Sequence, residues 1–433
     1  MKTSAIKGLF AAAAAVILAA TPLIGRGVTV DVTKFQQRYP WNGLVDIDYT
    51  ITRAENDATL DPAKHSVRIS VVNCDVKPAT TNVAHIFLQL TPIPVSDGAH
   101  RVTWDANAEN ITFKSQNVKI FAEIVHYAEK YMVIDVSGGP SATVYPVTYL
   151  NGAPAGGFNK DEYKGSNIVL RLIRPGTFVM GSPTTEPGRT AAREVQHVVT
   201  ITKPFYIGVF EITQKQYQNV MNENPSGNKP AGSDYRPVEN VSFETIRGAT
   251  PAGTRQYDWP HSQDVDMEKS FMGKLRAKCK EWDLDKHDYA KDVDGLFDLP
   301  TEAQWEYACR AGTTSAYNNG AGVDLNLLGR YASNGGLQSQ HVVVGTAGAS
   351  NAWGLYDMHG NVWELCLDWY QENVQDLENS SVDPVGAASG TSRVRRGGSW
   401  AHEAQDCRSA TRNFIDPATV QSFIGFRLSM TLP

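Results

Sequence analysis

Among 433 residues there are only five cysteines, no block of basic residues and a single long apolar run. Five is an odd number, so at least one of Cys74, Cys279, Cys309, Cys366 and Cys407 lacks a partner within the chain, and disulfides are sparse. Lys+Arg 40 against Asp+Glu 46 leaves a formal charge of -6, and without a basic patch no nucleic-acid partner is expected. Several catalytic signatures are also missing. There is no Gly-x-Ser-x-Gly elbow, no P-loop, no dinucleotide fingerprint and no pair of histidines four residues apart. His402-Glu403 begins like a zinc-protease helix, but Asp406 stands where the second histidine would be needed.

The one apolar run, Leu9 to Ala20, follows Lys2 and Lys7 and precedes Thr21, Pro22 and Gly25-Arg-Gly27. That is the layout of a signal peptide over 1–27, and it predicts a secreted or periplasmic protein. The run is short and is broken by Pro22, so no membrane span is expected after its removal. No cysteine stands there to carry a lipid.

From Val28 the sequence alternates. Val45, Ile47, Tyr49 and Ile51 interleave with Asp46, Asp48 and Thr50; Val67, Ile69 and Val71 interleave with Arg68 and Ser70; Val118, Ile120, Ala122 and Ile124 follow the same rule. A period of two buries one face of a strand, and five or more such strands predict an immunoglobulin-like β-sandwich over 28–130. After Ser137-Gly-Gly-Pro140 the chain becomes loops with short helices. Thr213 with Gln216 and Thr301 with Gln304 are capping boxes that predict helix starts. A charged helical insertion is expected over about 249–295, its apolar face marked by Met267, Phe271, Leu275 and Trp282. Glu302, Glu306 and Arg310 read as helix-dipole and ion-pair residues.

Seven stretches carry a family resemblance. They are Ile173–Gly181, Phe205–Thr213, Pro237–Ser242, Leu299–Gly312, Gly354–Glu364, Arg396-Gly-Gly-Ser-Trp400 and Gly425-Phe-Arg-Leu428. In this order they resemble the formylglycine-generating enzyme (sulfatase-modifying factor) family over about residues 131–433. The resemblance implies an α+β class with a C-type-lectin-like fold for this part. In the family, two cysteines after the Gly-Gly-Ser-aromatic motif bind copper and oxidise a cysteine of sulfatases. Here only Cys407 follows Ser399, so copper is not expected and the resemblance implies a pseudoenzyme, an exported binding or structural module for a protein or glycan ligand. The alternative is a formylglycine-generating-type oxidoreductase, or another metal-dependent enzyme, with a rebuilt site, for which Cys407, Ser399, Trp363 and His402 are the candidate residues. The resemblance further implies a structural calcium ion held by Asp357, Gly360, Val362 and Glu364, and it suggests Cys309 as the disulfide partner of Cys407.

Overall fold

The computed structural model describes the strands between residues 28 and 126 with residues 96–97, and then 130–432 apart from 249–264, 280–296, 320–324, 335–340, 347 and 373–380. The expected signal peptide therefore lies outside the described residues, as does Trp282. The chain divides into two compact units, 1–127 and 128–433.

Described residues of the first unit form small antiparallel sheets. Leu44–Arg53 lies between Val28–Gln37 and Gly98–Asp105, and His65–Val72 lies between Ile86–Phe87 and Lys119–His126. The alternation has the expected consequence. Val45, Ile47, Tyr49 and Ile51 are buried with Val30, Val32 and Trp104, while on the other face Arg101 grips Asp48 at 2.5 and 2.7 Å and Thr103 donates to Asp46.

The second unit is α+β. Its larger sheet runs Val147–Leu150, Tyr131–Asp135, Asn167–Ile173, Phe205–Gly208, Ser429–Thr431 and Phe297–Asp298 in space, so that the last strand of the unit inserts between Phe205–Gly208 and Phe297–Asp298. A four-stranded sheet runs Arg412–Ile415, Arg393–Arg396, Trp363–Trp369 and Ile424–Gly425, the last pair parallel. Both capping boxes form. Thr213 opens the helix Gln214–Met221 and Thr301 opens Glu302–Arg310, each side chain accepting from the amide three residues on. Ser242 and Thr245 build a third around Phe243–Arg247. Of the insertion, Ser270 caps a helix Phe271–Lys278 with Phe271 and Leu275 buried, whereas Met267 precedes the helix and is exposed.

Buried charge is what sets this unit apart. Glu302, Glu306, Arg310, Arg396, Arg408, Arg412 and Arg427 are all almost completely buried. Glu306 accepts from Arg310 at 2.9 Å and pairs with Arg396. Glu302 takes Arg412 in a two-pronged contact at 2.5 and 2.7 Å, and Arg408 bridges Glu186 and Glu194. Such charges survive burial only when paired and hydrogen-bonded. They tie the Glu302–Arg310 helix to the strands beneath it and hold the loop that follows Arg396.

Candidate functional site

The site grows from the end of the Arg393–Arg396 strand. Gly397 and Gly398 have φ of 92° and 74°, a region that side chains avoid, and a Cβ on Gly398 would lie 2.4 Å from the Cys407 sulfur. The chain can turn here only without that carbon, and the turn brings Ser399, His402 and Cys407 together. Ser399 Oγ lies 2.6 Å from His402 Nδ1 and accepts from the Ala401 amide at 3.2 Å. Trp363 Nε1, from the neighbouring strand, reaches the same His402 Nδ1 at 3.3 Å. An indole N–H can only donate, so His402 Nδ1 is an acceptor and carries no proton. Burial, with help from the Arg395 charge, lowers the His402 pKa and supports that neutral state.

The four residues considered for catalysis are thus brought together, but three of them, Trp363, Ser399 and Cys407, are fully buried. The Cys407 side packs with Leu325, Leu328 and Tyr331, and burial drives its thiol pKa far up, away from the thiolate that reactive cysteines need. The suggested pairing of Cys309 with Cys407 is corrected: Cys279, Cys309, Cys366 and Cys407 are all free and buried. His359 stands between the two. Its Nδ1 lies 2.7 Å from the Cys407 carbonyl, while Nε2 receives the Asn318 amide at 3.1 Å and touches Cys309 Sγ at 3.8 Å. With one nitrogen accepting from an amide and the other facing a carbonyl, the ring is neutral, and burial pushes its pKa down to about 4.

Beside this turn lies the Asp357–Glu364 loop. Gly360, at φ 98°, presses against the Arg330 carbonyl and donates to Gly397 O at 2.7 Å, joining the two loops. Two of the residues expected to hold calcium already have protein partners. Glu364 accepts from Arg427 Nη2 at 2.6 Å and Nε at 3.0 and 3.1 Å, and its Oε2 also takes Trp305 Nε1 at 2.7 Å. A guanidinium already neutralises this carboxylate. The Val362 amide is engaged by Glu211 at 3.1 Å, and Asp357 Oδ2 by the Gly345 amide; only Asp357 Oδ1 is buried without a hydrogen-bond partner. Among the described residues no group of three or more His, Cys, Asp or Glu is placed to hold a metal ion.

Sequence reasoning missed Glu211. It is completely buried, accepts from Asn361 Nδ2 at 2.6 Å, and has its pKa raised by burial and by the charges of Asp357 and Glu364. It stands inside the motif Phe205–Thr213, but nothing local connects it to a loop 150 positions later.

Residues 157–432 match the family described as the sulfatase-modifying factor enzyme 1-like domain. The chain belongs to the sulfatase-modifying factor family. Its C-terminal unit accordingly has the C-type-lectin-like fold of that family, with mixed sheets. Among curated proteins, a formylglycine-generating enzyme of Thermomonospora curvata is 37% identical over 145 residues, 30% of this chain and 48% of that one. A serine/threonine-protein kinase pkn1 of Chlamydia caviae is 38% identical over 131 residues, 30% of this chain and 20% of its own length. The chaperone protein LppX of Paenibacillus barcinonensis is 29% identical over 45% of this chain and 69% of that one. The chain spans only about a fifth of the kinases and half of the bacterial formylglycine-generating enzymes it matches. Among solved structures, Treponema denticola variable protein 1 matches at 28% identity and TM-score 0.45, covering 62% of this chain and 96% of that one. PvdO from Pseudomonas aeruginosa matches at 21% identity and TM-score 0.45, covering 61% and 94%. Among the described residues no helix is long and apolar enough to cross a membrane.

Proposed function

We propose that this sulfatase-modifying factor domain is a non-catalytic binding module, exported behind a signal peptide and preceded by an immunoglobulin-like sandwich. The observation that carries this reading is Cys407. It is the only cysteine after Gly397-Gly-Ser-Trp400, it is fully buried, and its thiol is held protonated by an apolar wall. A cuprous ion calls for two close thiolates, and Cys309, the other sulfur near this loop, is buried with its pKa pushed up to about 12 by burial. What the turn offers to solvent instead is a rigid loop surface, with Trp400, His402 and Phe423 half-exposed. Loops on a well-packed scaffold are a common place for binding.

The test is incubation of the protein with a Cys-x-Pro-x-Arg peptide, with and without copper. No formylglycine is expected; turnover that Cys407→Ser abolishes would overturn the reading. In the same proposal the cation of the Asp357–Glu364 loop is the Arg427 guanidinium. Chelator treatment should then leave the melting curve of the C-terminal unit unchanged, and a marked fall in melting temperature would restore calcium to this loop.

A further inference from the structure

Buried and half-buried arginines in the C-terminal unit mostly meet carboxylates. Arg247 and Arg276 share Asp298, and Arg310, Arg396, Arg408, Arg412 and Arg427 each meet at least one glutamate. Arg395 is different. It is half-buried on the outer side of its strand, across from Asn413. Its Nη1 donates to Gln421 Oε1 at 3.2 Å and its Nη2 to Asn413 Oδ1 at 3.3 Å, both neutral amides at the long end of hydrogen-bond distances, and its Nε has no partner. No carboxylate faces it among the described residues. Its guanidinium carbon lies 5.0 Å from the Trp363 ring centre and 5.9 Å from that of Phe423. The cation has given up water without gaining an anion, and burial brings its pKa down to about 10.

We propose that Arg395, framed by Trp363 and Phe423 and flanked by Asn413 and Gln421, is the recognition point for a carboxylate-bearing sugar, a uronic-acid unit of an acidic glycan. The inference rests on the binding-module reading and names its ligand. A guanidinium offers a planar fork to a carboxylate, and the two amides now at its tips can turn to hydroxyl groups, since an amide both donates and accepts. Phe423, half-exposed beside the guanidinium, offers a ring that can cover the apolar face of a pyranose. A uronic acid carries carboxylate, hydroxyls and an apolar face on one rigid ring. An acidic peptide side chain would satisfy Arg395 alone and would lose more conformational freedom on binding.

The experiment is calorimetric titration of the full chain with three probes: an oligogalacturonate, a neutral galactose oligosaccharide of the same length, and a glutamate-rich peptide. Binding is expected for the oligogalacturonate, at least about tenfold weaker for the other two, and weakening with added salt. Arg395→Gln should lose at least about tenfold in affinity at an unchanged melting temperature; Arg395→Lys, which keeps charge without the fork, should recover part of it. Equal binding of acidic and neutral sugars, untouched by Arg395→Gln, would overturn the carboxylate inference and leave the binding module standing. Preference for the peptide would overturn the sugar. Binding of none of the three overturns the inference altogether, while the module itself is decided separately by the peptide-oxidation assay.

Discussion

Arg395 and Arg396 are consecutive residues of one strand, and the two faces of their sheet treat them oppositely. Arg396 points inward, is fully buried, pairs with Glu306 and donates to the Thr411 carbonyl. Arg395 points outward onto aromatic rings, with only amides at its tips. A strand sends successive side chains to opposite sides, so a single step along the chain separates a charge that holds the fold together from one that the fold leaves uncommitted. The inner face teaches that burial of charge in this family domain is structural when the counter-charge is built in. The outer face shows what an unfilled requirement looks like.

The largest test of that contrast is Arg396→Gln, which breaks a buried ion pair, leaves Glu306 with Arg310 as its remaining cation and the Thr411 carbonyl without its donor, and should cost about 3–5 kcal/mol in urea unfolding. A loss under about 1 kcal/mol would erase the distinction between the faces. Next comes Gly398→Ala. The added carbon would meet the Cys407 sulfur at 2.4 Å and force φ 74° on an alanine, so a loss of about 2–4 kcal/mol is expected from overpacking and backbone strain together. Gly398→Ala with Cys407→Ala should recover only the sulfur's share, since Asp406 O and Cys407 Cα also lie 2.9 Å from the added carbon and the strain remains.

A third prediction concerns acid on the inner face. Asp368 accepts from the Glu302 amide at 2.7 Å at the start of the helix, and burial, then the Glu302 charge, raises its pKa from an ordinary 3.8 to about 7. The folded state therefore holds this proton over a window from about pH 4 to 7 in which the unfolded state has lost it. Stability from this group is present below the window and declines as pH rises through it. Asp368→Asn keeps an acceptor for the amide and should flatten that decline in urea midpoints measured from pH 4 to 8; an unchanged slope would locate the titration elsewhere. The smallest effect is the other half of the opening pair. Arg395→Gln should change stability by less than about 1 kcal/mol, since no carboxylate is left behind; a larger loss would mean that Arg395 is structural after all.

Legibility varied with the range of the interaction. The alternation of Val45, Ile47, Tyr49 and Ile51 and the boxes at Thr213 and Thr301 were readable because each is settled within a few residues. Seven motifs in order disclosed the family domain, and Glu306 with Arg310 was readable as a helix pair because the partners are one turn apart. The partner of Glu364, one of the expected calcium ligands, was not readable for the opposite reason: Arg427, which pairs with it, lies 63 positions away. The disulfide expectation failed similarly, since His359 occupies the space between the two sulfur-bearing segments.

By itself, then, the sequence determined where strands alternate, where helices begin, and that only one cysteine follows Ser399, all of them local or countable properties. Only the tertiary structure decided that Glu302 meets Arg412 across 110 positions, that Glu211 lies beneath the Asp357–Glu364 loop, and that Arg395 meets no carboxylate among the described residues. Like arginines have like local signals. The low dielectric of the interior makes pairing compulsory for whichever ones are buried, and the packing of distant segments selects them.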